Sequence, residues 1–314
     1  MIAPRPLRFV PGDDPVSRVR EFVRNPALRG LVEQFGGTWP GGELPEVLAT
    51  LVEFSAVWDR RQGASRLDIQ DGGGFDSERA MVAVEQLGLC DHALPAEAHY
   101  DWVFVLGGLA AGCRRRTEHL SRLLTEAHIE TGGICLLGSF RDLREAEFAV
   151  AAEFAPNATT EVDLLLELAT REFPSERAWT IELDGDRASA PRLAQLHARR
   201  TGHPEMHVFA ARSSQPEQRV ANTADTYQQA ASVLAFPPKA RLLVVTTHLY
   251  ATYQHFDAVR VLGLPHELCV ETIGAPPKVG GRIWSTAVYL QEVRSTLLAG
   301  LRLVTAVESG RPGR

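Results

Sequence analysis

His207-Val208-Phe209-Ala210-Ala211-Arg212-Ser213-Ser214 and Leu242-Leu243-Val244-Val245-Thr246-Thr247-His248 decide how this chain is read. Each is a short apolar run that stops abruptly in hydroxyl or guanidinium side chains. Apolar runs without alternation indicate strands covered on both faces, hence a parallel sheet with crossover helices. In open sheets of that kind, ligands sit beyond the carboxyl ends of the strands, where loops and helix N-termini present free N–H groups. The apolar run at 102–106 ends in Gly107-Gly108, and that at 134–137 ends in Gly138-Ser139-Phe140-Arg141. Parallel strands put such ends on one edge, so Gly107, Ser139, Arg212 and Thr246 are expected to converge.

Working outward, strands are also expected at 178–183 and 268–271, and helices at 114–127, 145–154, 160–173, 191–200 and 284–303. Residues 1–95 read as helical, with no convincing strand. One periodic apolar segment (Val19, Phe22, Val23, Leu28, Leu31, Val32, Phe35) follows Asp14-Pro15 and ends at Gly36-Gly37; a second helix spans 46–58; a third is capped by Asp76 or Ser77 and stops at Gly88. The expected architecture is a doubly wound, Rossmann-like parallel α/β sheet over 96–314, with a helical N-terminal extension over 1–95. The Gly72-Gly73-Gly74 loop is either an anion-binding nest or a flexible connection.

At 314 residues, with 45% hydrophobic and 23% charged residues, the chain has the composition of a globular protein. A net charge of -6 argues against nucleic acid as a partner. The first residues contain no apolar leader and no run reaches the roughly 20 residues of a membrane helix, so a cytoplasmic protein with no membrane partner is expected. Cys90, Cys113, Cys135 and Cys269 are widely spaced, which suits free thiols better than a disulfide framework or a zinc site. His197, His203 and His207 straddle a Gly-Pro loop, so no metal is expected.

The Gly107 to Gly112 turn has P-loop spacing but lacks the following Lys and Ser/Thr, and G-x-G-x-x-G is not met, so neither motif applies. What remains is a glycine turn opening a helix, whose N–H groups together with Arg114 to Arg116 could hold an anion; alternatively the glycines only permit close packing. Thr160 is a plausible N-cap. Glu161 is then either a residue favoured by the positive helix end or, if the helix points into the crevice, the best general base. Asn222-Thr223 and Asp225 open the next helix, either as caps or as ligand contacts, and Tyr250 can face a ligand from the helix after Thr247.

These residues resemble the YdcF-like family, which includes SanA and ElyC. The matches are Gly107-Gly108, Arg116, Glu161, Asn222-Thr223 and Val245-Thr246-Thr247, over residues 101 to about 275. Asp225-Thr226 stands where the family has Glu-Asn, and Tyr250 and Tyr253 stand where it has His and Arg. The resemblance implies a Rossmann-like fold, and S-adenosylmethionine as one conceivable ligand, since one member is reported to bind it.

The expected function is an enzyme acting on a small anionic metabolite, phosphorylated or nucleotide-like, by hydrolysis or group transfer. Arg116 and Arg212 would hold the anion, with Gly107, Gly108, Ser139, Arg141 and Thr247 lining the site. Asn222, Thr223, Thr246 and Tyr250 would position the ligand, and Glu161 or Asp225 would handle the proton. The alternatives are a non-catalytic binder of a nucleotide or S-adenosylmethionine, and a scaffold whose N-terminal helices form a homodimer.

Overall fold

The computed structural model describes residues 6–59, 75–276 and 284–311. Gly72-Gly73-Gly74 lies outside the described residues. The strands are β1 (Leu7–Phe9), β2 (His99–Leu106), β3 (Glu130–Ser139), β4 (Thr180–Asp184), β5 (Gln195–Arg200), β6 (Glu205–Ala211), β7 (Arg241–Thr247) and β8 (Cys269–Ala275). The helices are α1 (Ser17–Arg24), α2 (Pro26–Gln34), α3 (Leu44–Phe54), α4 (Ser77–Gln86) and α5 (Ala110–Glu126), then α6 (Glu145–Ala151), α7 (Glu161–Glu172), α8 (Thr223–Val233), α9 (Ala251–Ala258) and α10 (Thr286–Glu308).

All eight strands form one sheet in the order β1-β8-β7-β2-β3-β6-β5-β4. The five central strands, β8 to β6, are parallel, with Val103 level with Ile134 on one side and Leu243 on the other. The chain adds β3 and β6 on one side of β2, then crosses back to add β7 and β8 on the other. Cys113, Leu120, Val162 and Leu165 of α5 and α7 therefore cover one face, and Tyr227, Ala230 and Ala258 of α8 and α9 the other. This is the doubly wound α/β architecture, and its topological switch point lies between β2 and β7.

Both edges depart from a purely parallel sheet. β1 runs antiparallel to β8, pairing Leu7 with Thr272; three residues are too few to show any period. The stretch expected as a helix at 191–200 is instead β5, which pairs antiparallel with β6 and with β4. Leu196, Ala198 and Arg200 are buried at every second position, so pairing with β6 overrides the local helical preference.

The N-terminal stretch forms α1 to α4. The apolar segment after Asp14-Pro15 is divided at Asn25, whose extended backbone precedes Pro26 and whose side chain caps α2. Leu28, Leu31, Leu48 and Trp58 share one core with Phe256, Leu297 and Leu303, so these helices are packed onto α9 and α10. No helix among the described residues is long and apolar enough to cross a membrane.

Candidate functional site at the switch point

Thr160 starts α7 with a reciprocal cap: its N–H donates to Asp163 at 2.9 Å and its hydroxyl accepts from the Asp163 N–H at 3.4 Å. Glu161 is thereby the first helical residue and lies against the ends of β2 and β3. Its Oε2 accepts from the Ser139 N–H at 3.1 Å and from the Ser139 hydroxyl at 2.7 Å. Only glycine fits at 107, because a Cβ there would collide with Glu161 Oε1 and lie 2.5 Å from the Leu137 carbonyl. Burial pushes the Glu161 carboxyl above its ordinary value; Arg141, Ser139 and the Gly108 N–H counteract this only in part.

From α5, Arg116 crosses the switch point. Its Nη1 donates to the carbonyls of Leu106, at 2.5 Å, and Gly107, while its Nε donates to the Thr247 hydroxyl at 3.0 Å. The guanidinium carbon stands 5.7 Å from the Tyr250 ring centroid. Arg115, next to it, is half-buried, and burial with the neighbouring Arg116 charge lowers its pKa. Neither Arg115 nor Arg116 has a carboxylate within ion-pair distance among the described residues. Both therefore differ from Arg141, whose Nη1 and Nη2 fork onto Glu147 at 2.7 and 3.1 Å while Nη2 also donates to the Gly108 carbonyl at 2.8 Å.

The α5 N-terminus already holds an anion of the protein's own. Glu147 Oε1 accepts from the Ala110 N–H at 2.8 Å. Burial alone would raise the Glu147 carboxyl, but Arg141 and two backbone N–H groups hold it below its ordinary value. The helix end expected to hold a ligand anion is thus occupied by this carboxylate, and positive charge is left over at Arg115 and Arg116.

Other expected residues lie elsewhere. Arg212 is half-exposed and reaches to the antiparallel edge, pairing with Asp184 and bonding Gln195 at 3.1 Å. Asn222 and Asp225 form a reciprocal cap at α8, at 3.1 and 2.9 Å, and Asp225 accepts from Arg219 at 2.5 Å. Burial opposes ionisation of Asp225, yet Arg219, the Ser214 side chain and the Asn222 N–H hold its carboxyl below the ordinary range. The Thr223 carbonyl accepts from the Thr226 hydroxyl, and the Thr246 hydroxyl donates to Gln254. Gly107, Gly108, Arg116, Ser139, Arg141, Glu161, Thr247 and Tyr250 are therefore the residues that direct contacts bring together.

His248 follows Thr247 directly in the chain, but its side chain turns to α10. It is buried directly after β7, with Nε2 3.1 Å from the Tyr289 hydroxyl on α10. Burial depresses its pKa to about 4, so its imidazole is neutral at pH 7. A lone His after a strand carries no sequence signal for this, because Tyr289 is distant in the chain. The four cysteines are free, and burial pushes the Cys113 thiol up to about 12, which makes it a poor nucleophile. No cluster of three or more His, Cys, Asp or Glu side chains able to hold a metal occurs among the described residues.

The family model described as the Rv3785 N-terminal domain matches residues 11–88, which take in α1 to α4. The chain is 30% identical over 342 aligned positions to the uncharacterized protein Rv3785 of Mycobacterium tuberculosis (strain ATCC 25618 / H37Rv), covering 97% of this chain and 95% of that one. The same identity and coverage hold for the uncharacterized protein Mb3814 of Mycobacterium bovis (strain ATCC BAA-935 / AF2122/97). No solved structure matches. With that identity running nearly end to end, the chain belongs to the Rv3785 family.

Proposed function

We propose that the switch-point crevice binds a small phosphorylated or nucleotide-like anion, and that Glu161 handles a proton in its hydrolysis or group transfer. One observation carries this reading: Arg115 and Arg116, adjacent on α5 and at least half-buried, have no carboxylate partner among the described residues, whereas Arg141 and Arg219 are neutralised. Buried cations are ordinarily paired, and a phosphoryl oxygen is the partner a planar guanidinium fits best. Glu161 lies beyond the Gly107 backbone from Arg116, and its raised pKa brings it closer to neutrality, where a general acid or base works best. The Tyr250 ring lies over the Arg116 guanidinium. A relationship to the YdcF-like proteins belongs to the same proposal, since Arg116 and Glu161 are two of the matching residues.

A thermal-shift comparison of inorganic phosphate, AMP, glucose 6-phosphate and S-adenosylmethionine tests this. A ligand at 100 times its Kd adds roughly 2.7 kcal/mol of stability. At least one phosphorylated probe should raise the Tm, and Arg115→Ala should remove that shift. Stabilisation by S-adenosylmethionine alone would point to the non-catalytic binder; no shift with any phosphorylated compound overturns the proposal.

A further inference from the structure

β4 closes one end of the sheet, and all five of its residues are exposed. Among the described residues no strand pairs with its outer side, so a row of backbone N–H and C=O groups is open there. The opposite end is closed by β1, whose three residues offer no comparable row.

The apolar layer of the sheet also runs past its cover. Leu196 and Ala198 of β5 are buried in the same core as Leu164 and Leu168 of α7. Their partners on β4, Leu183 and Ile181, continue that face but are 49% and 53% exposed. Trp179, one step before β4, packs against this core too: its Nε1 donates to the Thr170 hydroxyl at 3.0 Å, and the Arg200 guanidinium carbon stands 4.7 Å from its ring centroid. Sheets commonly blunt an open edge with charge. Here Glu182 and Asp184 alternate onto the other face, where Arg212 pairs with Asp184.

A second copy of the chain fits this edge because antiparallel pairing about a two-fold axis is self-complementary in one register. Residues directly opposite share a face, so the axis passes through a residue. An axis at Glu182 sets Glu182 against its own copy, and an axis at Leu183 sets Glu182 against Asp184 twice; like charges directly opposite are destabilising. An axis at Ile181 sets Ile181 against Ile181, Trp179 against Leu183 and Thr180 against Glu182, with no like charges opposed.

We propose that the chain self-associates through β4, two copies joining edge to edge about an axis at Ile181 to form one continuous sheet. The same patch serves both copies, so the assembly closes as a dimer. One strand pair is a small interface, which puts the Kd on the order of 10 µM.

Sedimentation equilibrium from about 1 to about 200 µM brackets that value. The wild-type chain should pass from monomer to dimer. Ile181→Lys sets two ammonium groups against each other and should weaken the dimer about tenfold or more. Ile181 is already half-exposed, so the fold should survive, which far-UV circular dichroism checks. Val82→Lys, at an equally exposed position on α4, should leave the dimer intact and so separates β4 from the N-terminal helices as the interface. Arg115→Ala should leave it intact as well, which keeps this result apart from the phosphate site. A short bifunctional thiol reagent reads the register, with the wild-type cysteines as the blank: Ile181→Cys should crosslink into dimers, whereas Leu183→Cys, facing Trp179, should not. A wild-type chain that stays monomeric and leaves the edge to a foreign strand, a dimer that Val82→Lys weakens and Ile181→Lys does not, or equal crosslinking of the two cysteine variants overturns the proposal.

Discussion

Arg116 Nε donates to the Thr247 hydroxyl at 3.0 Å, so a helix on one face of the sheet is tied to the strand end from which the other half begins. The same guanidinium holds the Leu106 and Gly107 carbonyls. A lysine ammonium lacks the fork that serves these acceptors together, and a buried acceptor left unpaired costs about 1–3 kcal/mol. Arg116→Lys should therefore lower the unfolding free energy in urea by about that amount, besides weakening anion binding.

Gly107→Ala and Gly112→Ala should behave oppositely. A Cβ at 107 collides with Glu161 and the Leu137 carbonyl, whereas one at 112 meets only the tip of Arg116 at 3.5 Å. Overpacking at 107 should cost about 1–3 kcal/mol or displace Glu161. At 112, inside α5, alanine should be neutral or gain about 0.5–1 kcal/mol. Thermal unfolding of the two variants separates them.

The raised Glu161 pKa sets a sign for the pH dependence. Between its ordinary value of 4.5 and the higher folded value, the native state binds more protons than the unfolded state, so this group makes stability fall as pH rises. Glu161→Gln removes that slope. In urea titrations from pH 4 to 8, the wild-type minus variant stability should decline through the window above 4.5 and then level off.

Asp225 works in the other direction. Its lowered pKa means that its contribution is present above the ordinary 3.8 and is lost as pH falls through the folded value. Asp225→Asn should cost about 1–2 kcal/mol at pH 7 through the Arg219 pair and the cap, and the difference should vanish in acid. Affinity for the phosphorylated probe should stay unchanged, since Asp225 is bound up at the α8 cap.

The parallel strands were legible because β2, β3, β6 and β7 are apolar without alternation, and their sharp polar ends located the crevice edge. β5 was not, since Leu193 and Leu196 have helical spacing and only its pairing with β6 makes it a strand. Within the site, Glu161 could be found from the Thr160 cap beside it. The closure of the α5 N-terminus by Glu147 could not, because the Ala110 and Arg141 partners lie 37 and 6 positions away and meet only once the sheet forms. Arg212 was misplaced for a similar reason: its partner Asp184, at the end of the strand expected at 178–183, reaches it only once β4 and β5 pair along the sheet edge.

The most direct measurement is nitrogen-15 NMR of the arginine side chains during titration with inorganic phosphate. The Arg116 Nε signal should move saturably, with Arg115 following it, while those of Arg141 and Arg219, already neutralised by Glu147 and Asp225, stay nearly fixed. Phosphate that leaves Arg116 and Arg115 unmoved, whether or not it perturbs other arginines, contradicts an anion site at the switch point.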